Sequence, residues 1–403
     1  MTASTTTTTD RTLRDRTAAR TRVFGESIWT GIFNQFRKHP DPVYFGDGSP
    51  AAEAFPLERL KEASQRAWDD APASLGYGDQ KGYPPLRELI AKRIAQRGIQ
   101  TTADEVLVTA GSTQAIDLAC RVFLEPGDAV IVELPTFLGA LEIFETFETT
   151  IVGIPTDEHG MQMDALEAAL VAHPEAKLIY TIPTFQNPSG TTLPLERRQR
   201  MIELARHHDV AILEDDPYGE LQYDGEVVPP LRALDDQVIH LGTFSKTIAP
   251  GVRTGFAVAP PEIYALMLSM REVTDISNDR IMMRTVYQTA VDFLDEHLVG
   301  ARAIYRARRD AMLRALDEHM PNEVTWSRPD GGFFIWITLP DSVDGKQLFD
   351  DAAENGVIFF PGEWFFPARD MTHMIRLSFS TVPEERIAIG VQRLGEAIRA
   401  HLG

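Results

Sequence analysis

Residues 105–124, EVLVTAGSTQAIDLACRVFL, pass in one short segment from the alternating, β-branched character of a strand to the three-to-four-residue period of a helix. A Gly-Ser-Thr turn at 111–113 separates the two. The same succession continues downstream. β-rich runs recur at AVIVEL (129–134), TTIVGI (149–154), KLIYTI (177–182), VAILED (210–215), QVIHLG (237–242) and TGFAVA (254–259). Several are separated by helical patterns such as MDALEAALVAH (163–173) and LERRQRMIELARHH (195–208). Strands that alternate with helices predict an α/β fold, a large and mostly parallel sheet covered by helices on both faces.

Upstream, ESIWTGIFNQFRK (26–38) sets Ile28, Trp29, Ile32, Phe33 and Phe36 on one face of an amphipathic helix. A Pro- and Gly-rich turn follows at 39–50, then helices near 57–68 and 85–97, the latter closed by Gly98 in the C′ position. Downstream, a long helical stretch near 280–319 leads to WSRPDGGFFIWITL (326–339), VIFFPG (357–362) and MIRLSFS (374–380), which read as strands. A helix over 383–401 closes a smaller α+β domain. The expected division is a disordered or extended arm over 1–25, a helix and loop over 26–59 packing with the small domain or a partner, a large domain over 60–295 and a small domain over 296–403.

With 403 residues, 43% hydrophobic and 24% charged, the chain can bury a substantial core. No apolar run reaches the roughly 18 residues that span a bilayer, and the Thr-rich start has no apolar core of a secretory signal. The net charge of −20 disfavours nucleic acid or an anionic membrane as partner. Cys120 is the single cysteine, which excludes an internal disulfide or a cysteine-based metal cluster. It reads as core packing, and a cytoplasmic location is expected. Lysine is scarce: Lys38, Lys61, Lys81, Lys92, Lys177, Lys246 and Lys346 stand against a large excess of arginine.

Ligands of open α/β sheets bind beyond the carboxyl ends of the strands, so the polar residues there carry the most information. At 111–113 the helix start offers free N–H groups, a positive dipole end and the Ser112 and Thr113 hydroxyls, an anion cradle suited to a phosphate. Taken alone, an ordinary N-cap gives the same pattern. In HLGTFSKTIAPGVRTGF (240–256), Lys246 follows a strand directly, flanked by Thr243 and Ser245, with Arg253 seven residues on. A lysine at the mouth of an apolar sheet is desolvated, which frees its amine to form an imine. The two hydroxyls and the guanidinium suit a dianionic phosphate. In VAILEDDPYGEL (210–221), a buried Asp215 needs a cationic partner, and a protonated pyridine nitrogen supplies one. Asp216, before Pro217, fits a turn better. Asn187 in TIPTFQNPSG (181–190) is either an Asx-turn residue or a donor to a phenolate oxygen on a cofactor ring.

In combination these segments resemble the class I/II aminotransferases of pyridoxal-phosphate (PLP) fold type I, in the branch of the kynurenine and α-aminoadipate aminotransferases. The resemblance covers nearly the whole chain after about residue 25. It rests on YGDQKGYPPLRELIA (77–91), TAGSTQAIDL (109–118), ELPTFLGAL (133–141), TFQNPSGTTL (184–193), EDDPYGEL (214–221), TFSKTIAPGVRTGF (243–256) and IRLSFS (375–380), in the family's order. It implies that Lys246 carries PLP covalently and that Asp215 keeps the pyridine nitrogen protonated. It also implies that Asn187 and Tyr218 bond the phenolic oxygen while Phe137 stacks on the ring. Ser112, Thr113, Thr243, Ser245 and Arg253 would surround the phosphate, with Tyr77 reaching it from the second subunit of a homodimer. Arg376 would grip the substrate α-carboxylate, with Asn187 and Gly48 lining the same end. Thr243 and Phe137 stand where the branch often has serine and tyrosine; both swaps keep the physical role.

The reaction so implied is a ping-pong transamination from an L-amino acid to a 2-oxo acid, with the Lys246 amine moving a proton from the substrate Cα. A PLP-dependent lyase, decarboxylase or oxidase uses the same cofactor site. A non-catalytic aminotransferase-like sensor shares the fold, but no winged-helix segment is read ahead of it. Members of this branch that take acidic substrates can use an arginine on the N-terminal helix, but in ESIWTGIFNQF (26–36) that face carries Trp29, Ile32 and Phe33 and no arginine. With Phe359, Phe360, Trp364, Phe365 and Phe366, a pocket for aromatic or large aliphatic side chains is expected, although the same aromatics also read as core.

Overall fold

All seven expected runs of the central region are strands in the computed structural model, which describes residues 12–23, 28–39, 41–69 and 71–402. After a short β1 (Val43–Tyr44), the chain forms β2 (Val106–Thr109), β3 (Ala129–Leu134), β4 (Thr150–Asp157), the two-residue β5 (Gly160–Met161), β6 (Ala176–Thr181), β7 (Ala211–Asp215), β8 (Ile239–Thr243) and β9 (Gly255–Val258). These last eight build one sheet in the order β2-β9-β8-β7-β6-β3-β4-β5. The pairs from β8 through β7, β6 and β3 to β4 are parallel. β9 runs antiparallel to both β8 and β2. Two reversals leave β2 running the same way as β8. The carboxyl ends of β2, β8, β7, β6 and β3 therefore share one edge with the start of β9.

Alternation explains why both faces are apolar. In β3, Val130 and Val132 pack with Ala115, Ile116, Leu141 and Phe144, whereas Ala129 and Ile131 pack with Leu166, Leu170, Met201 and Ile202 on the other side. The first set lies under helices Ser112–Phe123 and Leu138–Thr146, the second under Met163–Ala172 and Leu195–His208. Each of the larger side chains among them contributes on the order of 1.5–3 kcal/mol by leaving water. Cys120 is buried in the first cluster.

The C-terminal part adds β10 (Thr325–Trp326), β11 (Phe334–Thr338), β12 (Val357–Ile358), β13 (Phe360–Pro361) and β14 (Met374–Ser378). Four of these form an antiparallel sheet, β10-β11-β14-β13. This is the expected α/β fold with a smaller α+β part. Some details differ. VIFFPG is not one strand: Phe359 turns inward onto Phe349, so β12 leaves the sheet and pairs in parallel with β1. WSRPDGGFFIWITL holds two strands, parted by a turn in which Gly332 takes φ +69°. The stretch near 280–319 is two helices, Arg280–Ala290 and Leu294–His319, the first capped by the Asp279 carboxylate. Helix Pro84–Ala95 ends on Gln96, so Gly98, at φ +92°, lies one residue beyond C′.

The N-terminal helix is Ile28–Lys38; Glu26 and Ser27 lie outside the described residues. Of the expected arm, residues 1–11 and 24–25 also lie outside them, and Leu13–Arg16 and Ala19–Val23 form 3-10 turns. Among the described residues no helix is long and apolar enough to cross a membrane.

Gly255 fixes how the sheet edge closes. A Cβ there would lie 2.7 Å from the Gly111 carbonyl carbon and 2.8 Å from the Gly242 oxygen, backbone atoms that cannot yield. Gly255→Ala is therefore expected to cost about 1–3 kcal/mol in chemical denaturation. A variant as stable as the parent would contradict this contact.

Candidate active site

At the shared edge, Lys246 stands just past β8, half-buried, with Nζ donating to the Gly48 carbonyl at 2.8 Å. The same Nζ lies 5.9 Å from the centre of the Tyr218 ring. Burial pulls its pKa down to about 8, against the opposing pull of the nearby Asp47 carboxylate. That makes neutral, nucleophilic amine available near physiological pH.

The anion cradle takes shape beside it. Gly111, with φ +85°, caps helix Ser112–Phe123, so Ser112 and Thr113 are its first two residues and their N–H groups have no intrahelical acceptor. Arg253, itself in the left-handed region at φ +42°, donates from Nη2 to the Ala110 carbonyl at 2.8 Å. A side chain on Gly111 would collide with that guanidinium. Thr243 pairs in register with Gly255, which packs on Gly111. Its hydroxyl donates to Ser245 Oγ at 3.0 Å and accepts from the Ser245 N–H at 3.1 Å. The start of helix Ser112–Phe123, with Thr113 exposed in its first turn, thus lies beside Arg253, Thr243 and Ser245, an arrangement that would suit a phosphate.

β7 ends in Glu214 and Asp215, which the strand pleat sends to opposite faces, and Asp216 follows just past it. Glu214 accepts from the Leu231 and Arg232 N–H groups at 2.6 and 3.1 Å and pairs with His240 Nδ1 at 2.8 Å. Asp216 forms a buried ion pair with Arg97; burial alone would raise its pKa, but Arg97 overrides this and holds it low. Asp215, 2% exposed, receives one hydrogen bond, from the Tyr180 hydroxyl to Oδ2 at 3.0 Å, while Oδ1 is buried without a partner. Burial pushes its pKa up to about 7. Such a carboxylate lacks a cation.

Across the site, the Arg376 guanidinium on β14 is 3% exposed. Nη1 donates to Asn187 Oδ1 at 2.9 Å and Nη2 to the Gly46 carbonyl at 2.6 Å, while Nε is buried without a partner. Among the described residues Arg376 forms no salt bridge to a carboxylate. Instead the guanidinium carbon lies 4.1, 4.5 and 4.9 Å from the ring centres of Phe334, Phe360 and Phe365. Burial lowers its pKa to about 10, so it stays charged. Because arginine only donates, the bond fixes Asn187 Oδ1 as acceptor and leaves Nδ2 to donate elsewhere. Gly48 lines the same end, an added Cβ lying 3.0 Å from the Phe334 ring.

Tyr218 is 2% exposed and set edge-on to Phe333 and Phe334, with burial keeping its phenol protonated. Phe137 is half-buried at the start of helix Leu138–Thr146. Tyr77 is not brought in: it stands 89% exposed on the surface of the single chain. Of the aromatic run, Phe360 and Phe365 reach Arg376, Trp364 packs between Phe349 and Phe360, Phe366 packs on Trp336, and Phe359 is core. Sequence reasoning missed Tyr180 and Asp47. For Tyr180 a signal existed: a tyrosine in the aliphatic strand KLIYTI must find a partner for its hydroxyl.

The family pattern "Aminotransferase class I and II" matches residues 41–394. The aromatic-amino-acid aminotransferase 1 of Thermococcus litoralis is 41% identical over 371 residues, 90% of this chain and 89% of that one. The crystal structure of Pyrococcus horikoshii kynurenine aminotransferase, in complex with PMP, superposes with a TM-score of 0.91 at 38% identity, covering 97% of this chain and 98% of that one. The α-aminoadipate aminotransferase of Thermus thermophilus, complexed with N-(5'-phosphopyridoxyl)-L-leucine, gives a TM-score of 0.85 at 34% identity over 96% and 99% of the two chains. The residues present fit such a cofactor: a helix-start cradle beside Arg253, a lysine with a depressed pKa, and a buried carboxylate oxygen in want of a cation. The chain belongs to the class I and II aminotransferases and is a PLP-dependent enzyme of fold type I that transaminates amino acids.

Proposed function

We propose that this aminotransferase acts on L-amino acids with aromatic or large aliphatic side chains, through a site in which Lys246, Asp215 and Arg376 carry the three charges the reaction uses. The observation that carries this reading is Arg376, a buried cation with no carboxylate partner among the described residues, a free Nε and one further N–H on each terminal nitrogen. An α-carboxylate is the partner it lacks, held as a bidentate pair beside Asn187 and Gly48.

When bound, PLP supplies the electron sink that makes the substrate Cα proton labile. Lys246 would anchor the cofactor and, once displaced by the substrate amine, take that proton on Nζ; its lowered pKa suits it to both tasks. Asp215 would hold a proton on the ring nitrogen through Oδ1. Asn187 Nδ2 and the Tyr218 hydroxyl would donate to the ring's phenolic oxygen, and Phe137 would cover one ring face. Ser112, Thr113, Thr243, Ser245 and Arg253 would bind the phosphate. An amino acid and then a 2-oxo acid use the same site in turn, which makes the kinetics ping-pong.

The side-chain preference is supported by Trp29, half-exposed on the N-terminal helix with its ring centre 5.8 Å from that of Phe360, which itself covers Arg376. Relatives named for aromatic amino acids and kynurenine fit the same preference, while one named for the acidic α-aminoadipate also holds a leucine adduct. Residues 60–295 would form the cofactor-binding domain and 296–403 the small domain. Residues 26–59 would pack beside the latter, a reading supported by the pairing of β1 with β12. A cytoplasmic location fits an acidic chain with a single buried cysteine.

Exposed Trp68, Leu75 and Tyr77 point to a two-fold homodimer in which Tyr77 completes the partner's phosphate site. Light scattering should give a dimer; a fully active monomer would contradict it. Arg376→Lys keeps the charge but loses the planar fork. With a panel of aromatic, aliphatic and acidic amino donors and 2-oxoglutarate, it should lower kcat/KM roughly 30- to several thousand-fold, equivalent to about 2–5 kcal/mol. Cofactor absorption should barely change, because the phosphate would be held elsewhere by Arg253 and the helix start. A normally folded variant that transaminates at near-parent efficiency would refute the role of Arg376. A parent that prefers acidic donors would refute the proposed side-chain class.

A further inference from the structure

We propose that Tyr180 is a positioning residue for the reaction: its hydroxyl holds Asp215 by Oδ2, so that Oδ1 alone is left to meet the cofactor ring nitrogen and the shared proton stays on the ring. The proposal rests on Asp215 being the ring-nitrogen partner.

The pleat of the sheet places the pair. Tyr180 on β6 is in register with Leu213 on β7, and Asp215 lies two residues further along the same face. Diagonal neighbours at that spacing are within reach of a long side chain. The hydroxyl spans the gap at 3.0 Å, between two groups that are both out of water. The ring is fully buried and set edge-on to Phe144, with centres 5.5 Å apart at 71°, which fixes the direction of the hydroxyl. Of the two carboxylate oxygens, only Oδ1 then lacks a partner.

The electrostatics point the same way. Burial favours the protonated form of Asp215, and the Tyr180 hydrogen bond is the foremost influence opposing it, ahead of the His240 and Lys246 charges; Asp216 reinforces burial. The Tyr180 phenol is itself driven far above its ordinary range by burial and by Asp215, so it remains a donor throughout the working pH range. A carboxylate and a pyridine nitrogen that share one proton divide it by relative affinity. A fixed donor on the carboxylate lowers its affinity and leaves the proton on nitrogen.

The test uses holoenzyme loaded with PLP labelled with 15N at the ring nitrogen, titrated by NMR. Tyr180→Phe removes only the hydroxyl, and the midpoint for ring-nitrogen protonation should fall by about one pH unit, the tenfold effect of one hydrogen bond to a charged group. Cofactor release should quicken by a similar factor. Loaded instead with a PLP analogue whose ring nitrogen is carbon, parent and variant should release it at the same rate. A fluorinated tyrosine at position 180, a stronger donor of the same shape, should move the midpoint upward and keeps the proposal open to refutation should Tyr180→Phe fail to fold. An unchanged midpoint in either variant overturns the proposal. So does release accelerated equally with both cofactors, the mark of a packing role only. Asp215→Asn, measured in parallel, separates the two levels. If it leaves the ring nitrogen protonated, the assignment of Asp215 fails and this proposal with it. If it deprotonates the ring while Tyr180→Phe does not shift the midpoint, only the role of Tyr180 fails.

Discussion

Asp215 and Arg376 are buried and Lys246 half-buried, and each lacks part of the bonding that its charge demands. Asp215 has a bare Oδ1, Arg376 a bare Nε, and Lys246 donates to a neutral carbonyl. Removing such groups from water without full partners costs several kcal/mol apiece. The apolar packing on both faces of the large sheet supports that cost, and a cofactor and substrate of complementary charge would relieve it. The same unmet bonding that weakens the free protein therefore gives the site its affinity and direction.

The backbone does the rest of the positioning. Gly46 and Gly48 offer alternate carbonyls to Arg376 and Lys246, so one short loop is tied to both cations. The Asn187 bond to Arg376 joins the loop after β6 to β14 of the small sheet, and the Thr136 N–H bond to the Phe365 carbonyl at 3.0 Å makes a second crossing nearby. Groups that would contact the cofactor ring and the substrate carboxylate are thereby held in one frame. At the proposed phosphate end, the Gly111 cap, the Gly255 contact and the Arg253 backbone turn form a comparable unit, in which the two glycines permit the tight approach of main chains.

Much of this was legible in the sequence where the signal is local. The alternation from EVLVTA to TGFAVA shows the strands, and Lys246, Asp215 and Asn187 announce themselves as polar residues just past apolar runs. What escaped depends on register. The diagonal from Tyr180 to Asp215 exists only once β6 and β7 are aligned. The aromatic surroundings of Arg376 exist only once β11, β13 and β14 are paired. VIFFPG reads as one strand because nothing local shows that Phe359 turns toward Phe349. Tyr77 shows the opposite limit, since a residue proposed to serve a second subunit gives no sign of it within one chain.

The central claim is that Lys246 is the cofactor lysine. Borohydride reduction of the purified, yellow holoenzyme followed by peptide mapping tests it most directly. The pyridoxyl group should be found on the peptide containing Lys246, as its half-buried place beside the phosphate cradle and its lowered pKa require. Label on Lys81 or Lys177 instead would contradict the account.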